Sequence, residues 1–172
     1  IIEVLIVLAI AALILVIVLI AIPQLQRNQR NTARKDVGSR IATEISSYAG
    51  NNNGQLPVAN VAAGNNNLGT PATTGFFNRY LGCTGATTCS TNINNPSTGN
   101  PYTPAAANVA TAPTAATYPP NTPTTTNDMG YYVGYVCDPA APENVTTTGA
   151  SGRNYALVIP LEGGARYCLD NH

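Results

Sequence analysis

The sharpest chemical signal in this chain is a carboxylate beside a long apolar run. Glu3 stands immediately before residues 4–22, nineteen consecutive Val, Leu, Ile and Ala residues. A charged group there costs a few kcal/mol unless it is paired. Either interfacial headgroups solvate Glu3, or it pairs with a cation on another molecule. Beyond the run lie Arg27, Arg30, Arg34, Lys35 and Arg40, accompanied by one acid, Asp36. This cluster makes either a solvated helix face or an electrostatic seam between molecules. Cys83, Cys89, Cys137 and Cys168 are an even set in a chain with a membrane-length segment. Such a set points to disulfides in an oxidising, extracytoplasmic location, with three connectivities open.

Chemistry of other kinds lacks its residues. The single histidine is the last residue, His172, and Cys83 and Cys89 are too far apart for a CxxC redox pair. No glycine-rich phosphate loop or metal-binding constellation appears. Asp128 and Asp138 are too few and scattered for a calcium site. The expectation is therefore no catalytic residue, no cofactor and no metal. Asn144-Val145-Thr146 is a formal glycosylation sequon, a motif short enough to arise by chance.

Formal net charge is zero and 9% of the residues are charged, against about 25% in an ordinary soluble domain. No net charge draws the chain to nucleic acid. The charges are segregated all the same. Residues 1–40 carry five basic groups against two acids, whereas residues 41–172 carry three against six. Identical copies packed stem to head would attract one another.

The elements that position these residues follow from periodicity. Nineteen apolar residues are close to the roughly 20 that span a bilayer as a helix, so a transmembrane helix is expected over residues 1–23. Pro23 ends the run and removes the hydrogen bond to the Leu19 carbonyl. Helical periodicity then resumes: Ala33, Val37, Ile41, Ile45 and Tyr48 form one stripe, with Arg27, Arg34, Asp36 and Arg40 assigned to the opposite face. An amphipathic second half is thus expected over 24–49, closed by Gly50, Asn51, Asn52, Asn53 and Gly54. Residues 50–128 are rich in Asn, Thr, Ala, Gly and Pro and read as loop, with a short helix from Thr74, its N-cap, to Leu81. Residues 129–172 read as a small antiparallel sheet built from Tyr131–Cys137, Tyr155–Leu161 and Ala165–Leu169, with a hairpin turn at Glu162-Gly163-Gly164. The fold class is α+β, a long N-terminal helix packed on that sheet.

The segment Ile1-Ile2-Glu3-Val4-Leu5-Ile6-Val7-Leu8-Ala9-Ile10 resembles the mature N-terminus of type IV pilins and of the pseudopilins of type II secretion. Tyr48 with Gly54-Gln55-Leu56-Pro57 resembles the family's junction between stem and head. The resemblance covers about residues 1–57. It implies a structural subunit, foremost a major pilin whose filament serves adhesion or twitching motility, with a secretion or DNA-uptake pseudopilin as the alternative. A membrane-anchored adhesin that never polymerises is a further one. It also implies an inner-membrane precursor, a prepilin peptidase, an assembly machine, a polymer of identical subunits outside the cell, and a host or neighbouring cell surface as the contact. Two residues and a leader are expected to precede Ile1. Glu3 then matches the family's glutamate, thought to meet the methylated terminal amine of an incoming subunit or equally the subunit's own amine a few residues upstream. Cys137 and Cys168 resemble the pair that staples the family's C-terminal region, leaving Cys83 with Cys89. Positive residues normally stay cytoplasmic, but the resemblance and the cysteines put the Arg27–Arg40 cluster outside. The family's helix-breaking glycine is missing from 4–22, and Pro23 comes about one turn late. With the β-branched run Ile14–Ile20, Pro23 predicts that helical bonding is lost near residues 15–23 in a filament.

Overall fold

The computed structural model describes residues 1–57, 76–84, 89, 93–105, 128–147 and 149–172. Helix α1 runs unbroken over Ile2–Asn51, Pro23 included. Leu and Ala favour it, and an apolar segment satisfies its backbone groups only by bonding within itself. Beyond Asn28 the hydroxyl residues Thr32, Ser39, Thr43, Ser46 and Ser47 each donate to the carbonyl four residues back. That bonding satisfies the hydroxyls within the helix itself. The end is closed by Asn53 at φ 56° and Gly54 at φ 78°, the Gly54 amide donating to Ala49 O at 2.8 Å. Asparagine and glycine tolerate this left-handed turn.

The strands are β1 (Thr103–Ala105), β2 (Asp128–Val133), β3 (Val136–Asp138), β4 (Ala141–Thr146), β5 (Tyr155–Pro160) and β6 (Arg166–Asp170). A four-stranded sheet has the order β1-β2-β5-β6, and β3 with β4 forms a second sheet. The pairs β2–β5 and β5–β6 are antiparallel, as expected; β3 also pairs antiparallel with β4, a strand the sequence reading did not assign, and β1 joins β2 in parallel from within the segment read as loop. Tyr131–Cys137 is not one strand. Gly134, at φ 79°, turns the chain out of the first sheet and into the second. The β5–β6 hairpin closes through the Leu161 amide on Ala165 O at 2.8 Å, with positive φ at Gly163 and Gly164.

Helix α2 covers Phe76–Arg79, inside the expected 74–81 segment; the Thr74 cap lies outside the described residues. Its Phe76 and Phe77 join a core with Val37, Ile41 and Ile45 of α1, Met129 and Tyr131 of β2, and Tyr155, Leu157 and Ile159 of β5. The opposite faces of β2 and β5 supply Tyr132, Ala156 and Val158 to a second cluster with Tyr135 and Val145. β5 is buried on both faces, which is why its sequence is apolar without alternation.

Candidate assembly surface and its anchor

Every residue from Ile1 to Gln29 is exposed. This is the one helix among the described residues long and apolar enough to cross a membrane, and its apolar window has no buried share. Glu3 and Arg27 are the only ionisable side chains within residues 1–29. Neither makes an ion pair among the described residues. Apolar surface of this extent on a folded chain marks an interface with lipid or with protein.

Burial begins at Arg30, where α1 meets the β5–β6 turn. Arg30 Nε and Nη2 donate to Glu162 Oε1 and Oε2 at 2.6 and 2.8 Å, a bidentate fork. Asn31 completes the clamp: its Oδ1 accepts from the Glu162 amide at 2.8 Å and its Nδ2 donates to Glu162 O at 3.3 Å. One turn further, Arg34 has no exposed surface. Its Nη1 donates to Pro160 O at 3.1 Å and its Nη2 to Ser97 Oγ at 2.6 Å, with Glu162 Oε1 at 3.8 Å. Ser97 Oγ donates in turn to Glu162 Oε1 at 3.2 Å. One carboxylate thus fastens the stem, the hairpin turn and the 93–101 segment together.

The electrostatics follow from this geometry. The Arg30 hydrogen bonds hold the Glu162 carboxyl below its ordinary pKa, against the upward push of burial. Burial lowers the Arg34 guanidinium, and the Glu162 charge opposes that shift. Tyr102, whose negative form Arg34 would favour, is nonetheless pushed up to about 12 by burial.

The structure therefore corrects the placement of Arg34, which belongs to the packed face and not the solvated one. The spacing 34, 37, 41 and 45 does continue the apolar stripe, but the acceptors that permit an arginine to be buried there come from distant segments. The remaining basic residues separate. Lys35 lies 5.1 Å from the centroid of the Tyr167 ring, Arg40 is an exposed partner of Asp36 at 3.7 Å, and Arg27 stands alone on the apolar half. The basic cluster is thus not one surface. Sequence reasoning counted Glu162 among the acids and placed it in the hairpin turn but missed its pairing with the stem arginines, and it passed over Asn31 and Gly38, at which a Cβ would collide with the Ile159 Cδ1 atom. No local pattern marks these, since their partners lie 65 to 132 residues away.

Both cysteine pairings are present: Cys83 with Cys89, and Cys137 with Cys168, the latter with Cα atoms 5.9 Å apart. The second joins β3 to β6 and so ties the two sheets, assisted by the Cys137 amide donating to Asp170 Oδ2 at 2.6 Å. Asp138 Oδ1 accepts from the Ala140 amide in a local turn, and among the described residues no three His, Cys, Asp or Glu side chains gather to hold a metal ion. His172 is exposed at the end of the chain. Within the sequon, Asn144 is half-buried on β4 and Val145 is buried. Comparison with family models, curated proteins and solved structures finds no match.

Proposed function

We propose that the chain is a structural subunit of the type IV pilin kind, held in the inner membrane by the first half of α1 and polymerised into an extracellular filament. The observation that carries this reading is the complete exposure of residues 1–29 beside a head that is packed and disulfide-closed. Fully burying a large aliphatic side chain contributes about 1.5–3 kcal/mol. Lipid supplies that burial before assembly, and a bundle of identical segments supplies it afterwards. Two disulfides suit a head that works outside the cytoplasm. The long, nearly uncharged Thr- and Asn-rich stretch suits the outer surface of a fibre, as in a major pilin serving adhesion or motility. On this reading Pro23 and the β-branched run before it are where α1 loosens on entering the fibre.

The test compares cells making wild type and Glu3→Ala. Electron microscopy of sheared material should show filaments made of the wild-type chain. The variant should enter the membrane fraction normally and yield few filaments. Absence of wild-type filaments would overturn the reading in favour of a solitary anchored domain.

A further inference from the structure

The C-terminal end of α1 carries a reactive pair of residues found nowhere else in the molecule. Asn53-Gly54 is the one Asn-Gly sequence in the chain. In such a pair the glycine nitrogen is able to attack the asparagine side-chain carbonyl, because the glycine has no Cβ to block the approach. Asn53 is exposed, and its side-chain amide has no hydrogen-bond partner among the described residues. It is also the one non-glycine among them with positive φ, at 56°. The attacking nitrogen is restrained. The Gly54 amide donates to Ala49 O at 2.8 Å across the turn that closes α1. The Arg153 guanidinium lies against this turn: a Cβ built on Gly54 would stand 3.7 Å from its Nη1. Arg153 makes no ion pair among the described residues.

We propose that Asn53 is a site of spontaneous deamidation, gated by the hydrogen bond from Gly54 to Ala49 and assisted by Arg153. Opening of the turn frees the Gly54 amide, which gives its proton to solvent base. Its nitrogen bonds to Asn53 Cγ, the Cγ–Nδ2 bond breaks, and Nδ2 takes a proton from water and leaves as ammonia. The five-membered imide so formed adds water at either carbonyl and opens to a carboxylate. No oxidant, reductant or cofactor enters. A cation beside the turn favours the anions on this route, from the deprotonated nitrogen to the final carboxylate. Opening at one carbonyl leaves an aspartate, which tolerates the left-handed conformation. Opening at the other routes the main chain through Cβ and Cγ, which lengthens it and disrupts the turn. That change falls just before Leu56, packed against the core, and the buried Pro57. Either carboxylate meets the negative end of the α1 dipole, and Arg153 is placed to offset it. The reaction thus marks aged copies where α1 joins the head, and it needs neither a second copy nor a membrane.

The experiment incubates the full chain in detergent and mildly alkaline buffer and reads every asparagine by peptide mapping with mass spectrometry. Asn53 should deamidate ahead of all other asparagines and give both isomers. A free peptide of residues 48–57 should react at least about tenfold faster than the folded chain, because it lacks the closed turn. Arg153→Gln should slow the folded chain about threefold at low ionic strength, and added salt should abolish that difference. Arg153→Lys, which keeps the charge, should stay within about twofold of wild type. Another asparagine reacting first overturns the site. Equal rates in peptide and folded chain overturn the gate. A rate unchanged or raised in Arg153→Gln at low ionic strength overturns the part given to the cation. All three outcomes leave the filament reading standing, since that reading is tested by microscopy of sheared material.

Discussion

The two halves of α1 are one continuous helix with opposite fates. Residues 1–29 are exposed throughout, whereas residues 30–51 place Arg34, Val37, Gly38, Ile41 and Ile45 in the interior. The greasier half is the exposed one. Hydrophobicity alone therefore does not decide what this fold buries; shape and polar anchoring do. The packed half is held by a glycine that lets the helix approach β5 and by two arginines that converge on Glu162. It is held also by the Tyr155 hydroxyl, which donates to Ala42 O at 2.9 Å. The exposed half has no such fittings. Its surface is uniform apart from its two end charges, which suits repeated packing against identical stems or lipid.

The contrast is broken most directly by cutting between the halves. A chain lacking residues 1–28 should pass from requiring detergent to being freely soluble. Its head should keep its thermal midpoint, because every residue removed is exposed. A drop of more than a few degrees on calorimetry would mean that the first half supports the head after all.

The anchor comes next. Glu162→Ala leaves Arg34 buried without its carboxylate, which should destabilise the head by about 3 kcal/mol. Arg40→Ala, which removes an exposed pair, should stay within about 0.5 kcal/mol. Urea unfolding of the soluble head reads both, and equal effects would refute the division of the basic residues into anchor and surface.

A smaller effect belongs to the helix–sheet approach. Gly38→Ala gains helix propensity of up to about 1 kcal/mol but overpacks the core at Ile159, at a typical cost of 1–3 kcal/mol. The net should be about 1 kcal/mol of destabilisation. Adding Ile159→Val deletes the colliding methyl, so the double variant should be more stable than the sum of the single changes. Simple additivity would show that the close approach is unimportant.

The smallest effect is one of pH. Glu162 is depressed in the folded state, so the unfolded chain binds its proton first as pH falls. Its contribution is complete above its ordinary value of 4.5 and disappears as pH drops through the lower folded value. Thermal midpoints between pH 7 and pH 3 should therefore fall less steeply for Glu162→Gln than for wild type. Parallel curves would place the acid sensitivity in other carboxylates.

Much of the architecture is decided by short-range patterns in the chain. An uninterrupted apolar run must be helical wherever water is scarce. The stripe Val37, Ile41, Ile45 and Tyr48 must face a core, and two consecutive glycines after Glu162 must turn a hairpin. These inferences need only neighbours within a few residues, so the long helix, its packed face and the last hairpin were all legible. The arrangement of strands was not. The exit from β2 at Gly134, the parallel pairing of β1 and the double burial of β5 depend on which distant segment offers a free edge or an apolar face. Arg34 shows the limit most clearly. An arginine on an otherwise apolar stripe is a solvated residue until Glu162, Ser97 and Pro160 arrive from 63 to 128 positions away to satisfy it. Only the folded chain brings those acceptors to the guanidinium, and their hydrogen bonds are what make its burial tolerable.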